Sequence, residues 1–241
     1  MIPGNDDLET IITRGAQELA INLPHGADAA FKTYYELLEQ HRKKTNLTAI
    51  TGEKNIAQQH FLDSLALLKT HNFKSANTID IGSGAGFPGV PLKIAEPTIA
   101  LTLLDATGKR VNFLTELNTK LSLGATCIHA RAEEAAHRAD MRESYDIALS
   151  RAVARLNALC ELCLPFVRIG GVFIAMKSTD TETEIAEARA AIATLGAELQ
   201  NCEDYTIPGT DTTHRAITIL KTKKTPEKHP RRFAKIQKAP L

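Results

Sequence analysis

Apolar residues recur at helical spacing through the first third of the chain. Within each of three segments, positions three and four apart are apolar, and the segments are 8–21, 28–44 and 53–70. Asp28 is a candidate N-cap of the second segment. We therefore expect an N-terminal helical layer over residues 1–74.

From residue 75 the pattern changes to short apolar strands that alternate with helical segments. Strands are predicted at 77–81, 99–105, 125–130, 145–150 and 171–177, each followed by a helix. Two more strands, 198–206 and 213–220, have only the turn Pro208–Asp211 between them, so they pair antiparallel. This predicts an α/β fold with a seven-stranded Rossmann-like sheet over 75–221, whose last strand is antiparallel.

A glycine-rich loop joins the first predicted strand to the next helix, in the segment IDIGSGAGFPGVP at 79–91. Two cofactor patterns overlap there. Gly84, Gly86 and Gly89 satisfy G-x-G-x-x-G, the dinucleotide fingerprint. Asp80 followed by Gly82, Gly84 and Gly86 satisfies D-x-G-x-G-x-G, the loop of S-adenosylmethionine (SAM) enzymes.

Three features favour SAM. Gly82 already occupies the position after the strand, and Pro88 lacks an N–H where pyrophosphate would need one. Asp80 would repel pyrophosphate but can accept a hydrogen bond from the SAM ammonium, directly or through water. The closing hairpin is typical of the SAM-methyltransferase sheet, whereas a dinucleotide domain does not need it. A purely structural turn is the remaining alternative.

Candidate ligand residues follow the predicted strands, at the edge where doubly wound sheets bind ligands. Asp105 ends the second strand and is expected to accept both ribose hydroxyls, or else it only starts a turn. Glu133 either accepts from the adenine amine or favours a helix N-terminus. Arg151 either reaches the methionine carboxylate or an RNA phosphate, or it pairs with an acid such as Asp146.

Composition narrows the class of protein. The 241 residues carry a formal charge of +1, but eight basic residues and one acid lie between 221 and 238, so 222–241 is a predicted basic C-terminal tail. No apolar run has the length of a membrane span and no signal peptide is evident, which predicts a cytoplasmic protein. Cys160 and Cys163 form a lone C-x-x-C in an apolar run, so buried thiols are expected and no metal site.

The chain resembles the bacterial small-subunit ribosomal RNA guanine-N7 methyltransferases, once called glucose-inhibited division protein B. The matching segments cover nearly the whole chain: NLT at 46–48, HFLDS at 60–64, the loop at 79–91, LDATGKRVNFL at 104–114, RAE at 131–133, SRA at 150–152 and TPEKHPRR at 225–232. H-x-x-D-S and G-F-P-G-x-P are specific, since generic SAM enzymes lack both. His41 departs from the family, which commonly has tryptophan there.

The resemblance implies methylation of N7 of guanine 527 in 16S rRNA, with SAM as methyl donor and the rRNA or small ribosomal subunit as partner. It implies SAM contacts by Gly82, Phe87, Arg151 and the Ala132–Glu133 segment. With the loop and strand-end residues, the predicted cofactor site is Gly82, Ser83, Gly84, Gly86, Phe87, Asp105, Ala132, Glu133 and Arg151. Phe87 is alternatively an ordinary core residue.

Guanine N7 has a free lone pair and loses no proton on methylation, so no general base is needed. Asp63 and Glu133 are candidate acceptors near the cationic product. His60, Asp63 and Ser64 share a helix face, either over the pocket or tying the helical layer to the sheet, and the tie is favoured.

Phosphate contacts are expected from basic side chains, although charge runs are usually only solvated faces. They are the 42–44 cluster, Lys109, Arg110, Lys221, Lys223, Arg231 and Arg232. The protein is expected to recognise folded RNA by its shape. It is also expected to be a monomer. Two rival functions remain: a SAM methyltransferase acting on another RNA, a protein or a small molecule, and a non-catalytic SAM-binding assembly factor.

Overall fold

A mixed seven-stranded sheet forms the centre of the molecule, which a computed structural model describes for residues 7–151 and 154–241, apart from the side chain of Lys43. The strands are β1 Asn77–Ile81, β2 Ala100–Asp105, β3 Thr126–His129, β4 Tyr145–Arg151, β5 Val167–Ser178, β6 Ala197–Thr206 and β7 Thr213–Lys221. Their order is β3-β2-β1-β4-β5-β7-β6. The first five strands are parallel, whereas β7 pairs antiparallel with both β5 and β6. The predicted sheet and its closing hairpin are confirmed.

Helices cover both faces of the sheet. They are α1 Leu8–Glu18, α2 Ala27–Thr45, α3 Glu53–Ile56, α4 Asp63–Thr70, α5 Gly89–Ala95, α6 Gly108–Leu121, α7 Ala132–Ala135, α8 Leu156–Cys163, α9 Glu182–Thr194 and α10 Phe233–Lys238. A single-turn 3₁₀ helix, Leu164–Phe166, continues α8. The strand order reverses between β1 and β4, which places the ligand-binding crevice at the carboxyl ends of these two strands.

The predicted helix over 53–70 has an unexpected centre. Residues Ala57–Leu62 form a π-helical segment between α3 and α4. A π-segment widens the helix, and such segments occur frequently at functional sites. Here it contains His60 and directly precedes Asp63, two residues of the H-x-x-D-S motif.

The helical layer and the sheet share one core. Phe31, Tyr34 and Phe61 have no exposed surface and lie in the same buried cluster as Leu149 and Ile174 of the central strands. A second buried cluster on the other face joins the sheet to α8 and α9 and includes Cys160 and Cys163, so the prediction of buried thiols is confirmed. His41, at the departure from the family pattern, packs against Phe113 of α6 with ring centroids 5.6 Å apart.

The C-terminal segment 222–241 packs against the sheet domain. Thr225, His229 and Ile236 are buried, and His229 Nδ1 lies 2.8 Å from the buried Glu161 carboxylate of α8. The basic residues of this segment differ widely in exposure, and only exposed ones are free to contact phosphate.

Candidate active site

The glycine loop is fixed to the neighbouring strand by its own backbone. Gly82 and Ser83 both donate their N–H groups to the carbonyl oxygen of Leu104 in β2, at 2.8 and 3.1 Å. The Ser83 hydroxyl donates to the carbonyl oxygen of Asp80 at 2.7 Å. These bonds hold the loop at the carboxyl end of β1, where the sequence predicts the cofactor.

Two glycines give the loop a closed inner side and an open outer side. A Cβ at Gly86, where φ is +101°, would come within 2.7 Å of the Tyr34 hydroxyl. That hydroxyl donates to the carbonyl oxygen of Ala85 at 2.5 Å, so helix α2 supports the loop from below. At Gly84, with φ at +59°, the nearest atom to an added Cβ is 3.8 Å away, which leaves this side open to a ligand.

Asp80 lies beneath the loop and has no exposed surface. Its Oδ2 accepts the N–H of Gly89 at 2.9 Å, while Oδ1 has no hydrogen-bond partner among the described residues. Burial raises the pKa of Asp80 to about 7, against the opposing effect of the Gly89 bond. Asp80 thus braces the start of α5, and its contact with a ligand ammonium stays a prediction.

Asp105 is also committed to the loop. Its Oδ2 accepts from the N–H of Gly84 at 2.9 Å, and its Oδ1 accepts from the N–H of Thr107 at 2.8 Å. The second bond is the turn-starting role that the sequence left as an alternative. Only 4 % of the Asp105 side chain is exposed, and both of its oxygens already accept backbone N–H groups. Its contact with the ribose therefore stays a prediction.

Arg151, the last residue of β4, is paired with an acid that lies far from it in the chain. Its Nη1 donates to Asp63 Oδ2 at 3.1 Å and to the carbonyl oxygen of Gln59 at 3.2 Å. The alternative of an acid partner is thus observed with Asp63, not with Asp146, which instead accepts from Arg168 at 2.6 Å. The pair joins the N-terminal layer to the sheet, as the favoured interpretation of the H-x-x-D-S motif predicts.

His60 binds Arg151 of this pair and lies on the side that faces the glycine loop. Arg151 Nη2 donates to His60 Nδ1 at 2.9 Å, so the ring proton is on Nε2, which donates to the Thr48 hydroxyl at 2.7 Å. Burial, reinforced by the nearby Arg151 charge, lowers the pKa of His60 to about 3. The imidazole is therefore neutral throughout the physiological range.

Two site residues come from the closing hairpin, and sequence reasoning missed both. Asp63 Oδ1 accepts from the hydroxyl of Tyr205 in β6 at 3.0 Å and lies 2.8 Å from Nδ1 of His214 in β7. Because β7 is antiparallel, its first residues lie beside the carboxyl end of β5, where Ser178 pairs with His214. The predicted hairpin contained this signal, since an antiparallel strand brings its N-terminal residues to the ligand edge.

Phe87 stacks on this cluster. Its ring centroid is 4.3 Å from that of His60 and 5.3 Å from that of Tyr34, and the Arg151 guanidinium carbon lies 4.9 Å above it. Only 5 % of Phe87 is exposed, which supports the core alternative. Its contact with SAM stays a prediction.

Ala132 and Glu133 lie at the next strand end along the same edge. They begin the short helix α7, with Glu133 and Glu134 in its first turn, and both Ala132 and Glu133 are half-buried. This placement is compatible with either interpretation of Glu133, so its adenine contact stays a prediction.

A cavity of about 550 Å³ lies next to the Arg151–Asp63 pair. The residues that line it include His60, Asp63, Arg151 and His214 together with the apolar Ile50, Met176 and Ile207. It is thus bounded by the π-segment, the ends of β4 and β5, and the closing hairpin. Ala152, which the sequence places immediately beyond, lies outside the described residues.

Two of the predicted phosphate contacts are corrected. Lys221 has no exposed surface and donates to the carbonyl oxygens of Leu164 and Val167 and to the Thr225 hydroxyl, at 2.8, 3.3 and 2.6 Å. Its prediction is wrong because β7 is an internal strand, so its last residue enters the core. Burial lowers the pKa of Lys221 to about 8.

Arg231 is engaged in a similar way. Its Nη2 and Nε donate to Glu161 at 2.6 and 2.8 Å, and only 16 % of its side chain is exposed. It anchors the C-terminal segment, so its prediction as a phosphate contact is corrected too. Lys109, Lys223 and Arg232 are exposed, and Arg110 is partly exposed near Asp105, so their phosphate contacts stay predictions.

Two further searches concern the described residues only. No group of three or more histidine, cysteine, aspartate or glutamate side chains among them is placed to hold a metal ion. Likewise, none of their helices combines the length and apolar character needed to cross a membrane.

Comparison with known proteins identifies the family. The GidB family, described as rRNA small subunit methyltransferase G, matches residues 27–213. The chain belongs to this family. The GidB match spans the helical layer from α2, the glycine loop, the Arg151–Asp63 pair and the start of β7.

Full-length relatives agree with this assignment. The chain is 44 % identical over 230 residues to ribosomal RNA small subunit methyltransferase G of Lachnoclostridium phytofermentans, covering 95 % of each chain. It is also 44 % identical over 237 residues to the protein of that name from Alkaliphilus oremlandii, covering 98 % of this chain and 99 % of the other.

Solved structures with little sequence identity share the fold. A transferase from Pyrococcus horikoshii superposes with a TM-score of 0.52 at 11 % identity, covering 66 % of this chain and 63 % of the other. TYW2 of M. jannaschii, crystallised with AdoMet, has a TM-score of 0.50 at 14 % identity, covering 65 % and 74 %. These structures show the fold alone. The methyltransferase family is shown by the GidB match, and the open side of the loop at Gly84 fits a methyl donor at this edge.

Proposed function

We propose that this GidB-family chain methylates N7 of guanine 527 in the 16S rRNA of the small ribosomal subunit, with SAM as the methyl donor. One observation carries the proposal: His60 and Arg151, which line the cavity, both pack on the ring of Phe87 in the glycine loop, at 4.3 and 4.9 Å. The proposed donor and acceptor sites would then lie on either side of these side chains, close enough for the alignment that direct transfer requires. We further propose that the protein acts as a cytoplasmic monomer.

The loop and strand-end residues would hold the donor. Gly82, Ser83, Gly84 and Gly86 would surround its methionine portion, Asp105 and Ala132–Glu133 its adenosine, and Phe87 with Arg151 the inner wall. When bound, SAM supplies a sulfonium-linked methyl group. The N7 lone pair forms the new N–C bond as the S–C bond breaks, leaving a neutral thioether and a cationic purine.

No proton leaves the guanine in this step, so the chain needs no general base. The hydrogen bonds of two carboxylates, Asp105 beside the loop and Asp63 in the Arg151–Asp63 pair, are consistent with the absence of a general base. Asp105 accepts two backbone N–H groups, and Asp63 accepts from three side chains. Both therefore position other groups, and rate enhancement comes from alignment of N7 with the methyl group and exclusion of water.

Transfer of labelled methyl groups tests the proposal. Purified protein with methyl-labelled SAM and small subunits that lack the modification is expected to place the label on guanine 527 of 16S rRNA. Label on protein would favour the rival methyltransferase function, and SAM binding without transfer would favour the assembly factor. Either result would overturn the proposal.

The loop assignment has its own control. Gly82→Asp puts a side chain and a charge into the loop and is expected to abolish SAM binding in calorimetry, whereas Lys223→Ala, on the exposed C-terminal segment, should leave SAM affinity unchanged. Normal SAM affinity of Gly82→Asp would contradict the assignment of the loop.

A further inference from the structure

The cavity beside the Arg151–Asp63 pair has the size and lining of a pocket for a single base. Its volume of about 550 Å³ lies within the usual range for ligand pockets, roughly 300–1,000 Å³. Apolar surface comes from Met176 of β5, from Ile50 in the segment before α3 and from Ile207 just after β6. Enzymes that modify a base in a folded nucleic acid hold it between such side chains and read its Watson–Crick edge with polar groups.

Three charged side chains of this cavity already have partners within the protein. Asp63 is 1 % exposed and accepts from Arg151, Tyr205 and His214. Arg151 donates to Asp63, His60 and the carbonyl oxygen of Gln59. Lys177 donates to Glu184 at 2.8 Å and to the carbonyl oxygen of Ala154 at 2.6 Å.

His214 differs from these residues. Its Nδ1 lies 2.8 Å from Asp63 Oδ1 and donates to that carboxylate, and 32 % of its side chain is exposed. Nε2, on the other side of the ring, has no hydrogen-bond partner among the described residues. In the neutral imidazole with the proton on Nδ1, Nε2 is an acceptor.

We propose that this cavity receives the target guanine and that Nε2 of His214 accepts a hydrogen bond from its Watson–Crick edge. This inference rests on the proposed function and names the specificity-determining residue of that site. Guanine presents two adjacent donors on this edge, the N1–H and the 2-amino group, whereas adenine has an acceptor at N1. N7 lies on the opposite side of the base and stays free for the methyl donor.

The chemistry of the step favours an acceptor at this position. Methylation at N7 gives the purine a positive charge, which makes its N1–H and 2-amino groups stronger donors. A bond to Nε2 therefore strengthens as charge develops, with the Asp63 carboxylate on the far side of the imidazole. Interactions that strengthen in the transition state are those that raise the rate.

The charge state of His214 sets a pH dependence. The facing groups are Asp63 on α4, Arg151 on β4, Lys177 on β5, Tyr205 on β6 and the neutral His60 of the π-segment. The hydrogen bond to Asp63 raises the pKa of His214, while burial and Arg151 oppose the increase. Protonation occupies Nε2, so activity is expected to fall on the acid side.

Base analogues at the target position test the contact. Small subunits are reconstituted with 16S rRNA carrying guanosine, inosine, which lacks the 2-amino group, or 2-aminopurine, which lacks the N1–H. The wild-type protein is expected to lose about 10- to 100-fold in kcat/KM on at least one analogue. His214→Ala should be slower on guanosine by a similar factor and should no longer discriminate against that analogue.

Two further variants separate contact from packing. His214→Gln keeps an acceptor that does not titrate, so it should recover part of the activity and lose the acid limb of the pH profile. His25→Ala, at an exposed histidine in the helical layer, should match the wild type. If His214→Ala does not fold, the analogue preferences and pH profile of His214→Gln decide the question.

Unchanged analogue preferences in the folded His214 variants would overturn the inference while leaving the proposed function intact. Failure of the wild-type protein to methylate any guanosine-containing subunit would instead count against the proposed function.

Discussion

The ionisation of Asp80 links the glycine loop to the stability of the protein. In an unfolded chain an aspartate carboxyl ionises near pH 4, whereas burial raises the pKa of Asp80 to about 7 in the folded state. Between these values the folded state binds the proton more tightly than the unfolded state. The contribution of Asp80 to the free energy of unfolding therefore falls as pH rises through this window.

Replacement of Asp80 by Asn is expected to remove this dependence. The free energy of unfolding of Asp80→Asn relative to wild type should rise between pH 4 and 7, by up to about 4 kcal/mol. Urea unfolding at several pH values measures the difference. Asp140→Asn, at an exposed carboxylate, should show no such rise, and a flat difference for Asp80→Asn would contradict the prediction.

Gly86 provides a second test at the level of one residue. A Cβ there would lie 2.7 Å from the Tyr34 hydroxyl and 2.8 Å from Val90 Cγ2, in a backbone conformation with φ at +101°. Gly86→Ala should therefore destabilise the protein by about 2–4 kcal/mol and weaken SAM binding at least tenfold, since strain and overpacking add.

Gly124→Ala is the matched control for Gly86→Ala. Gly124 also has positive φ, at +66°, but nothing lies within 4 Å of an added Cβ. It should lose only about 1 kcal/mol, with SAM affinity unchanged. Equal effects of the two substitutions in urea unfolding and calorimetry would show that close packing at Gly86 is unimportant.

At the scale of elements, the apolar periodicity predicted those helices and strands whose bounds are determined by local sequence. The strands and most helices begin and end within a few residues of their predicted bounds because each carries its own apolar pattern. The π-segment Ala57–Leu62 was not predicted, since a widened turn leaves no distinct apolar period over six residues. Val167 begins β5 four residues before its predicted start, because Gly170 and Gly171 interrupt the pattern.

The candidate site was predicted in parts. Arg151 and Asp63 were each identified from motifs, but their pairing across 88 positions depends on how the layer packs on the sheet. His214 joins them only because β7 is antiparallel and begins at the ligand edge. The run of basic residues did not show which arginines are exposed: Arg231 is bound by Glu161, whereas its neighbour Arg232 is exposed.

These two arginines make a prediction for the C-terminal segment. Arg231→Ala leaves the buried Glu161 carboxylate without its main partner and should cost about 3 kcal/mol in urea unfolding. Arg232→Ala should change stability by less than about 0.5 kcal/mol. In salt-dependent binding to small subunits, Arg232→Ala should instead weaken association while SAM affinity stays normal.

Destabilisation by Arg232→Ala equal to that by Arg231→Ala would contradict this division. Normal subunit binding by Arg232→Ala would also contradict it, because it would show that Arg232 is only a solvated surface charge.

For the whole molecule, the boundary predicted near residue 74 separates elements that share one core. Phe31, Tyr34 and Phe61 are fully buried, and the rings of Tyr34 and Phe61 lie 5.3 and 5.9 Å from that of Phe87. Each such side chain contributes about 2 kcal/mol by burial. Their sum is comparable with the whole stability of a typical domain, about 5–15 kcal/mol.

A chain that begins at residue 75 should therefore fail to fold alone. It would expose the sheet face that this layer covers, lose the Asp63 partner of Arg151 and lose the Tyr34 support of the glycine loop. We expect residues 75–241 to show no cooperative urea transition and no SAM binding, whereas the full chain shows both. Co-expression of residues 1–74 should restore both properties if the interface itself is what is missing. A cooperative transition and normal SAM affinity for 75–241 alone would show that the sheet domain is independent, and that the layer serves only to shape the cavity beside Arg151.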